Sequence, residues 1–240
     1  MVSMIEVLRA ARRAGRAGDV VQSCSLYARV LSEDPQHAEA LHFYGLLQDD
    51  TLGSLESLAW VERSLRLSEG NAVFLTNKAL ALQKRHAIED SIESLRCALA
   101  AQADYAQAFL ALGHARKELK EYSEAVFAYE KALILQPDAY PAYEHLSFCY
   151  EYPSLLSRRL RVLQQAHVLA PDAPDVAYGL GLYRLLSGEF AEGWDFMQYR
   201  WQASHIKDDP NYSKPLKLAA PMFMPPMKNS RVFIWSEQGI

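Results

Sequence analysis

Small residues return along this chain at a fixed step of 34, and that step constrains the fold more than any other feature. Six segments align without a gap: 4–37, 38–71, 72–105, 106–139, 140–173 and 174–207. Position 8 of each reads Ala11, Gly45, Ala79, Gly113, Ser147 and Gly181, all small. Position 20 reads Ser23, Ser57, Ser91, Ala125, Arg159 and Gly193, five of six small. Position 27 reads Val30, Ser64, Ala98, Ala132, Ala166 and Arg200, four of six small. Position 24 is large and apolar throughout: Tyr27, Val61, Leu95, Tyr129, Leu163 and Met197. An unconstrained column would hold Gly, Ala or Ser about a quarter of the time. Fixed chemistry at fixed places is an internal repeat.

Each segment carries two helical patterns. In 106–139 they are AQAFLALGHARKEL and SEAVFAYEKALIL, with apolar residues at i, i+3, i+4 and i+7. The polar turn Lys120-Glu121-Tyr122 separates them. Small residues at 8, 20 and 27 let two helices approach closely, and large ones at 24 fill the gaps that remain. Pro35, Pro137 and Pro171 stop the second helix and set the turn to the next unit. One pair cannot bury its own apolar face, so the units must stack.

Leu112-Gly113, Tyr122, Ala125, Tyr129, Ala132 and Pro137 carry a resemblance to the tetratricopeptide repeat, a 34-residue helix–turn–helix unit. The likeness covers residues 4–201. It implies an all-α, right-handed superhelix of about six helix-turn-helix repeats. The chain departs from the pattern at Lys78, where a large apolar residue is usual, at Arg159 and at Pro153.

After the sixth segment the character changes. Five Pro and three Met fall within 210–227, which reads as an irregular linker spanning 202–230. Arg231-Val232-Phe233-Ile234-Trp235 then reads as a β-strand, with Ser236 to Ile240 as the following loop. GEFAEGWDFMQYRW, the linker and RVFIWSEQGI together resemble bacterial proteins in which a tetratricopeptide solenoid precedes a glycosyltransferase-like domain of the heptosyltransferase and O-GlcNAc-transferase type. That likeness implies that 231–240 opens a second domain, and that the solenoid recruits substrate for a transferase whose catalytic positions lie outside this chain.

Charge and cysteine usage narrow the partners. With 25 basic and 29 acidic residues the net charge is −4, which offers nucleic acid no general attraction. Cys24, Cys97 and Cys149 are scattered, form no paired motif, and suit structural roles in a reducing cytoplasm. No apolar run is long enough to span a bilayer. The Arg-rich start, with Arg9, Arg12, Arg13 and Arg16, reads as the first amphipathic helix rather than a transit peptide. No phosphate loop, nucleophile elbow or metal-spaced His pair occurs, so no cofactor, metal or catalytic residue is expected. The basic cluster Arg158-Arg159-Arg161 reads as a solvated face.

By the resemblance, the first helix of each unit lines the concave side. The candidate partner-binding residues there are His42, Phe43, Leu46, Thr76, Asn77, Leu110, His114, Lys117, Glu144, His145, Phe148 and Tyr178. A mixed aromatic, His and apolar lining suits a protein or peptide ligand, in which a few apolar anchors supply most of the affinity. Asn77 and Lys117 sit in different units, too little for a carboxylate clamp, and one Asn at position 6 is not an asparagine ladder. The expected function is a non-enzymatic interaction scaffold. Self-association through residues 221–240 is a further expectation, because an unpaired strand offers a free edge.

Overall fold

The computed structural model describes residues 3–52, 55–150 and 156–203. Among them are twelve α-helices and no strand. The first helices of the pairs are α1 (Met4–Arg16), α3 (Ala38–Leu52), α5 (Ala72–Lys84), α7 (Ala106–Glu118), α9 (Tyr140–Cys149) and α11 (Pro174–Leu186). They begin 34 residues apart. Their partners are α2 (Val20–Glu33), α4 (Leu55–Leu67), α6 (Ile88–Ala101), α8 (Tyr122–Leu135), α10 (Leu156–Leu169) and α12 (Phe190–Met197), the last running into a short 3₁₀ turn at Gln198–Trp201. The strand expected at 231–235, the linker from residue 204 onward and Pro153 lie outside the described residues.

Each helix packs on its pair mate, and each second helix packs on the next first helix. First helices also touch one another, α3 with α5, α5 with α7 and α7 with α9, so they form the inner layer of a solenoid. The core is a chain of small clusters rather than one centre. Tyr27 and Val30 of α2 meet Ala40 of α3, and Leu95 and Ala98 of α6 meet Ala108 and Ala111 of α7. Tyr129 and Ala132 of α8 meet Ala142 and Leu146 of α9. Leu163 and Ala166 of α10 meet Val176 and Leu180 of α11.

Position 8 shows why small residues are needed. A Cβ on Gly113 would stand 2.5 Å from the ring of Tyr129, which is fully buried. One on Gly45 would stand 2.8 Å from the Ser57 carbonyl oxygen and 2.9 Å from Trp60 Cβ. In unit one the seam is polar as well as tight: Ser23 Oγ at position 20 donates to the Ala11 carbonyl at 2.9 Å. Arg159 breaks the rule in unit five. Its guanidinium reaches toward the next unit and lies 4.6 Å from the centre of the Tyr183 ring. Lys78 keeps its stem on the helix and its ammonium 3.4 Å from Glu62 of α4.

Helix ends follow local chemistry. Ser3 and Glu6 form a reciprocal capping box on α1, and Asp19 and Asn71 cap α2 and α5. The turn inside a unit needs one residue in the left-handed region. Gly18 and Gly188 supply it without strain, whereas His86 (φ 59°) and Lys120 (φ 61°) adopt it despite a Cβ. Arg116 pairs with Glu121, and Arg184 with Glu189 at 3.0 Å, so the same ion pair spans that turn in two units.

Two outcomes follow for stability. Gly45→Ala gains ~1 kcal/mol of helix propensity but meets a backbone oxygen that cannot move, so a net loss of about 1–2 kcal/mol is expected in urea unfolding. Lys120→Gly relieves a left-handed Cβ and is expected to raise stability by about 0.5–1 kcal/mol in the same measurement.

Candidate functional site

The inner layer bears two neighbouring clefts. The larger, about 820 Å³, lies between α1, α3 and α5. Its floor is aromatic: Tyr27 and Phe43 stack with ring centres 5.8 Å apart, and Phe74 meets Phe43 edge-on at 6.4 Å. Its rim is polar, with Arg12, Arg16, Glu39, Ser68 and Asn71. Arg12 and Glu39 form a two-point ion pair from unit one to unit two, which also raises the Arg12 pKa. Leu46 belongs to both clefts. The second, about 520 Å³, adds Asn77, Leu80, Gln83, Lys84, His86 and Glu118.

Of the candidate residues, Phe43, Leu46 and Asn77 line these clefts. Leu110 lines a separate hollow of about 270 Å³ with Gln107, Gln136 and Tyr140. His114, Lys117, Glu144, His145 and Phe148 form a second group, on α7 and α9. The His114 and His145 rings meet edge-to-face at 4.0 Å, and Lys117 Nζ lies 5.7 Å from the centre of the exposed Phe148 ring. Burial raises the Glu144 carboxyl, opposed by a hydrogen bond from Tyr140 and by Lys117. Tyr178 on α11 is partly buried.

His42 and Thr76 do not line the groove. Both are fully buried. Position 5 faces the next first helix, and size decides whether a side chain reaches past it. Thr76 is too short, whereas Leu110, Glu144 and Tyr178 in the same column are partly exposed. His42 is closed over by Phe74, whose ring stacks on the imidazole at 3.9 Å and 7°. Phe74 occupies position 3, a place held by Ala40, Ala108 and Ala142 in other units.

The buried imidazole still shapes the groove. Ser64 Oγ donates to the Val61 carbonyl at 2.6 Å, so toward His42 it can only accept. That assigns the proton to His42 Nδ1, 3.3 Å away, and leaves Nε2 to accept from Asn77 Nδ2 at 3.1 Å. The Asn77 amide nitrogen is thereby engaged, and its Oδ1 is left as an acceptor on the second cleft.

Arg12, Tyr27 and Phe74 were not among the expected site residues. Arg12 holds position 9 of unit one, the same column as Leu46, His114 and Phe148, so its place was readable from the repeat. Tyr27 reads as a packing residue and serves also as floor, where Phe74 joins it. Among the described residues no His, Cys, Asp and Glu group can hold a metal, and no helix is long and apolar enough to cross a membrane. Cys97 is exposed, Cys149 is buried, and Cys24 accepts from Gln48 Nε2 at 3.3 Å.

Burial holds three imidazoles neutral. Desolvation pulls His42 and His114 down to about 4 and His145 to about 3, with Lys117 adding repulsion at His114, and His114 and Lys117 at His145. An unfolded His titrates near ~6.5. Between about 6.5 and 4 the unfolded chain therefore binds protons that the folded chain refuses. The stabilisation is complete above about pH 6.5 and is lost as pH falls toward about 4. The melting temperature is expected to drop across that window, and His145→Gln to make the drop shallower; an equal slope in the variant would remove this assignment.

No protein-family model matches the chain, and no curated protein sequence matches it. Solved structures do. Pseudomonas aeruginosa PilF superposes with a TM-score of 0.78 at 12% identity, over 87% of this chain and 94% of PilF. PilW, a widely conserved type IV pilus biogenesis factor, gives 0.72 at 15%, over 87% and 96%. YrrB, described as a TPR protein with an unusual peptide-binding site, gives 0.58 at 15%, over 73% and 91%. At such identities the likeness speaks for architecture alone, and together with the paired helices it shows that the chain folds as a tetratricopeptide-type solenoid.

Proposed function

We propose that this solenoid is a non-enzymatic scaffold that holds a protein or peptide in its concave groove. The observation that carries the reading is the pair of neighbouring clefts joined at Leu46, with an aromatic floor at Phe43 and Phe74 and polar groups at the rim. Such a surface offers apolar anchor sites flanked by directional contacts, which is the pattern of peptide recognition. The Arg12–Glu39 pair holds two units in register beside the cleft, so the groove needs little ordering when a ligand arrives. The peptide-binding site of the structurally similar YrrB supports the same use of the scaffold. The group at Lys117, Glu144, His145 and Phe148 extends the proposed contact surface along the inner layer. The three scattered cysteines favour a reducing compartment such as the cytoplasm.

An alternative is that the same groove recruits substrate for a glycosyltransferase domain. It rests on the sequence RVFIWSEQGI at 231–240, outside the described residues. Reading the coding sequence past Ile240 tests it: a continuation with a doubly wound pattern supports a transferase, and a stop codon removes it.

The scaffold reading is tested by affinity capture from native extract, followed by titration of the captured peptide. Leu46→Glu changes both clefts at a partly exposed position and is expected to weaken binding about 10- to 100-fold, with the far-ultraviolet circular dichroism unchanged. Phe127→Ala, at an exposed position outside both clefts, is expected to leave affinity intact. Full binding by Leu46→Glu would overturn the groove assignment.

A further inference from the structure

Hydrogen-bonding capacity at the mouth of the larger cleft is unbalanced. Among the described residues Glu39 is the only acidic group on its lining, and both Glu39 oxygens are taken by Arg12. Asn71 Oδ1 accepts from the Phe74 N–H at 3.1 Å, which leaves the amide nitrogen as the group it presents. Arg16 lines the same cleft, is exposed, and has no acidic partner among the described residues. The rim therefore presents donors and no uncommitted carboxylate.

Helix α1 extends this bias along the groove. It carries four arginines against Glu6, and Glu6 is engaged by the Ser3 cap. Arg9, Arg12 and Arg16 are spaced three and four residues apart, so they share one helix face. Arg9 holds position 6, the column of Phe43 and Asn77, which line the two clefts. It is exposed and, like Arg16, has no acidic partner among the described residues. Arg16 in the last turn also suits the helix dipole, but Arg9 lies mid-helix, where the dipole gives no reason for a cation. Two uncommitted guanidinium groups thus stand roughly 10 Å apart along the axis, at ~1.5 Å per residue, beside an apolar floor.

Charge complementarity calls for an anionic partner, and the floor selects its kind. Tyr27 and Phe74 are buried, and Phe43 is flanked by both, so no ring stands clear as a stacking platform for a base. An apolar side chain fits there instead. A single terminal carboxylate cannot reach both Arg9 and Arg16, whereas two side-chain carboxylates on an extended chain can, since roughly 10 Å is about three residues.

We propose that the groove takes an acidic peptide stretch, an inference that rests on the peptide-binding reading above. An apolar side chain sits on the floor at Phe43 and Phe74, and two Asp or Glu side chains about three residues apart meet Arg16 and Arg9.

The test uses the full 240-residue chain and a displayed library of random peptides about twelve residues long. Selected peptides are expected to carry two or more Asp or Glu beside a large apolar residue. One of them, amidated at its C-terminus, is then titrated. Combining Arg9→Glu with Arg16→Glu is expected to weaken it at least about tenfold, and exchanging the peptide's acidic residues for Lys is expected to restore most of that loss. Restoration also shows that the variant is folded. Selected peptides without acidic bias, or acidic ones that the double variant binds as well as before, would overturn the acidic assignment; if Leu46→Glu still abolishes their binding, the groove reading stands alone. Peptides indifferent to Leu46→Glu, or a selection that returns no binder, would count against both. Binding that requires a free C-terminal carboxylate would assign the arginines to a chain end and overturn the proposal. Displacement of the peptide by an equal concentration of single-stranded oligonucleotide would assign them to phosphate, with the same result.

Discussion

Close approach of helices at matched small residues is the condition on which the rest of this molecule depends. Gly113 admits the ring of Tyr129, and Gly45 admits the backbone at Ser57, to distances that no side chain would tolerate. Each such contact fixes the spacing inside one unit. The spacing inside a unit then fixes where its first helix meets the next, and so where the inner layer runs. The clefts between α1, α3 and α5 are by-products of that geometry, since straight rods set side by side leave grooves that only large side chains can fill.

The period and the helical class were legible because they rest on columns, and a column averages over six examples. What a single residue does within its column was less legible. His42 looked like a groove residue by position, yet Phe74 covers it, and the signal was an aromatic where other units carry Ala. Thr76 shares the position and fails for another reason, its length. Arg12 and Glu39 were each at inward positions, but their pairing crosses from one unit to the next and depends on how the units are turned, which no periodicity reports. The left-handed turn residues His86 and Lys120 carry no glycine to announce them. Arg159 was visible as a breach of the small column, while its resting place against Tyr183 needed the coordinates.

Polar groups inside this solenoid act at a distance from where they sit. His42 touches no solvent, but by fixing its own proton through Ser64 it fixes which end of the Asn77 amide the groove presents. The pairing of a buried imidazole with a half-buried amide turns an interior hydrogen-bond choice into surface chemistry. The two inward groups also differ in chemistry: the α1–α5 floor is mainly apolar, whereas the α7–α9 group mixes two imidazoles, an ammonium and a carboxylate with Phe148.

The short α9, ten residues where other first helices have thirteen to fifteen, carries a mechanical meaning. A linear array communicates only between adjacent members, so a shorter member bears directly on its own neighbours alone. The two groups of inward-facing side chains draw on different stretches of the spine, one centred on α1, α3 and α5 and the other on α7 and α9. A tilt of α9 would therefore alter the surface presented to one end of a long ligand while leaving the other end's grip undisturbed.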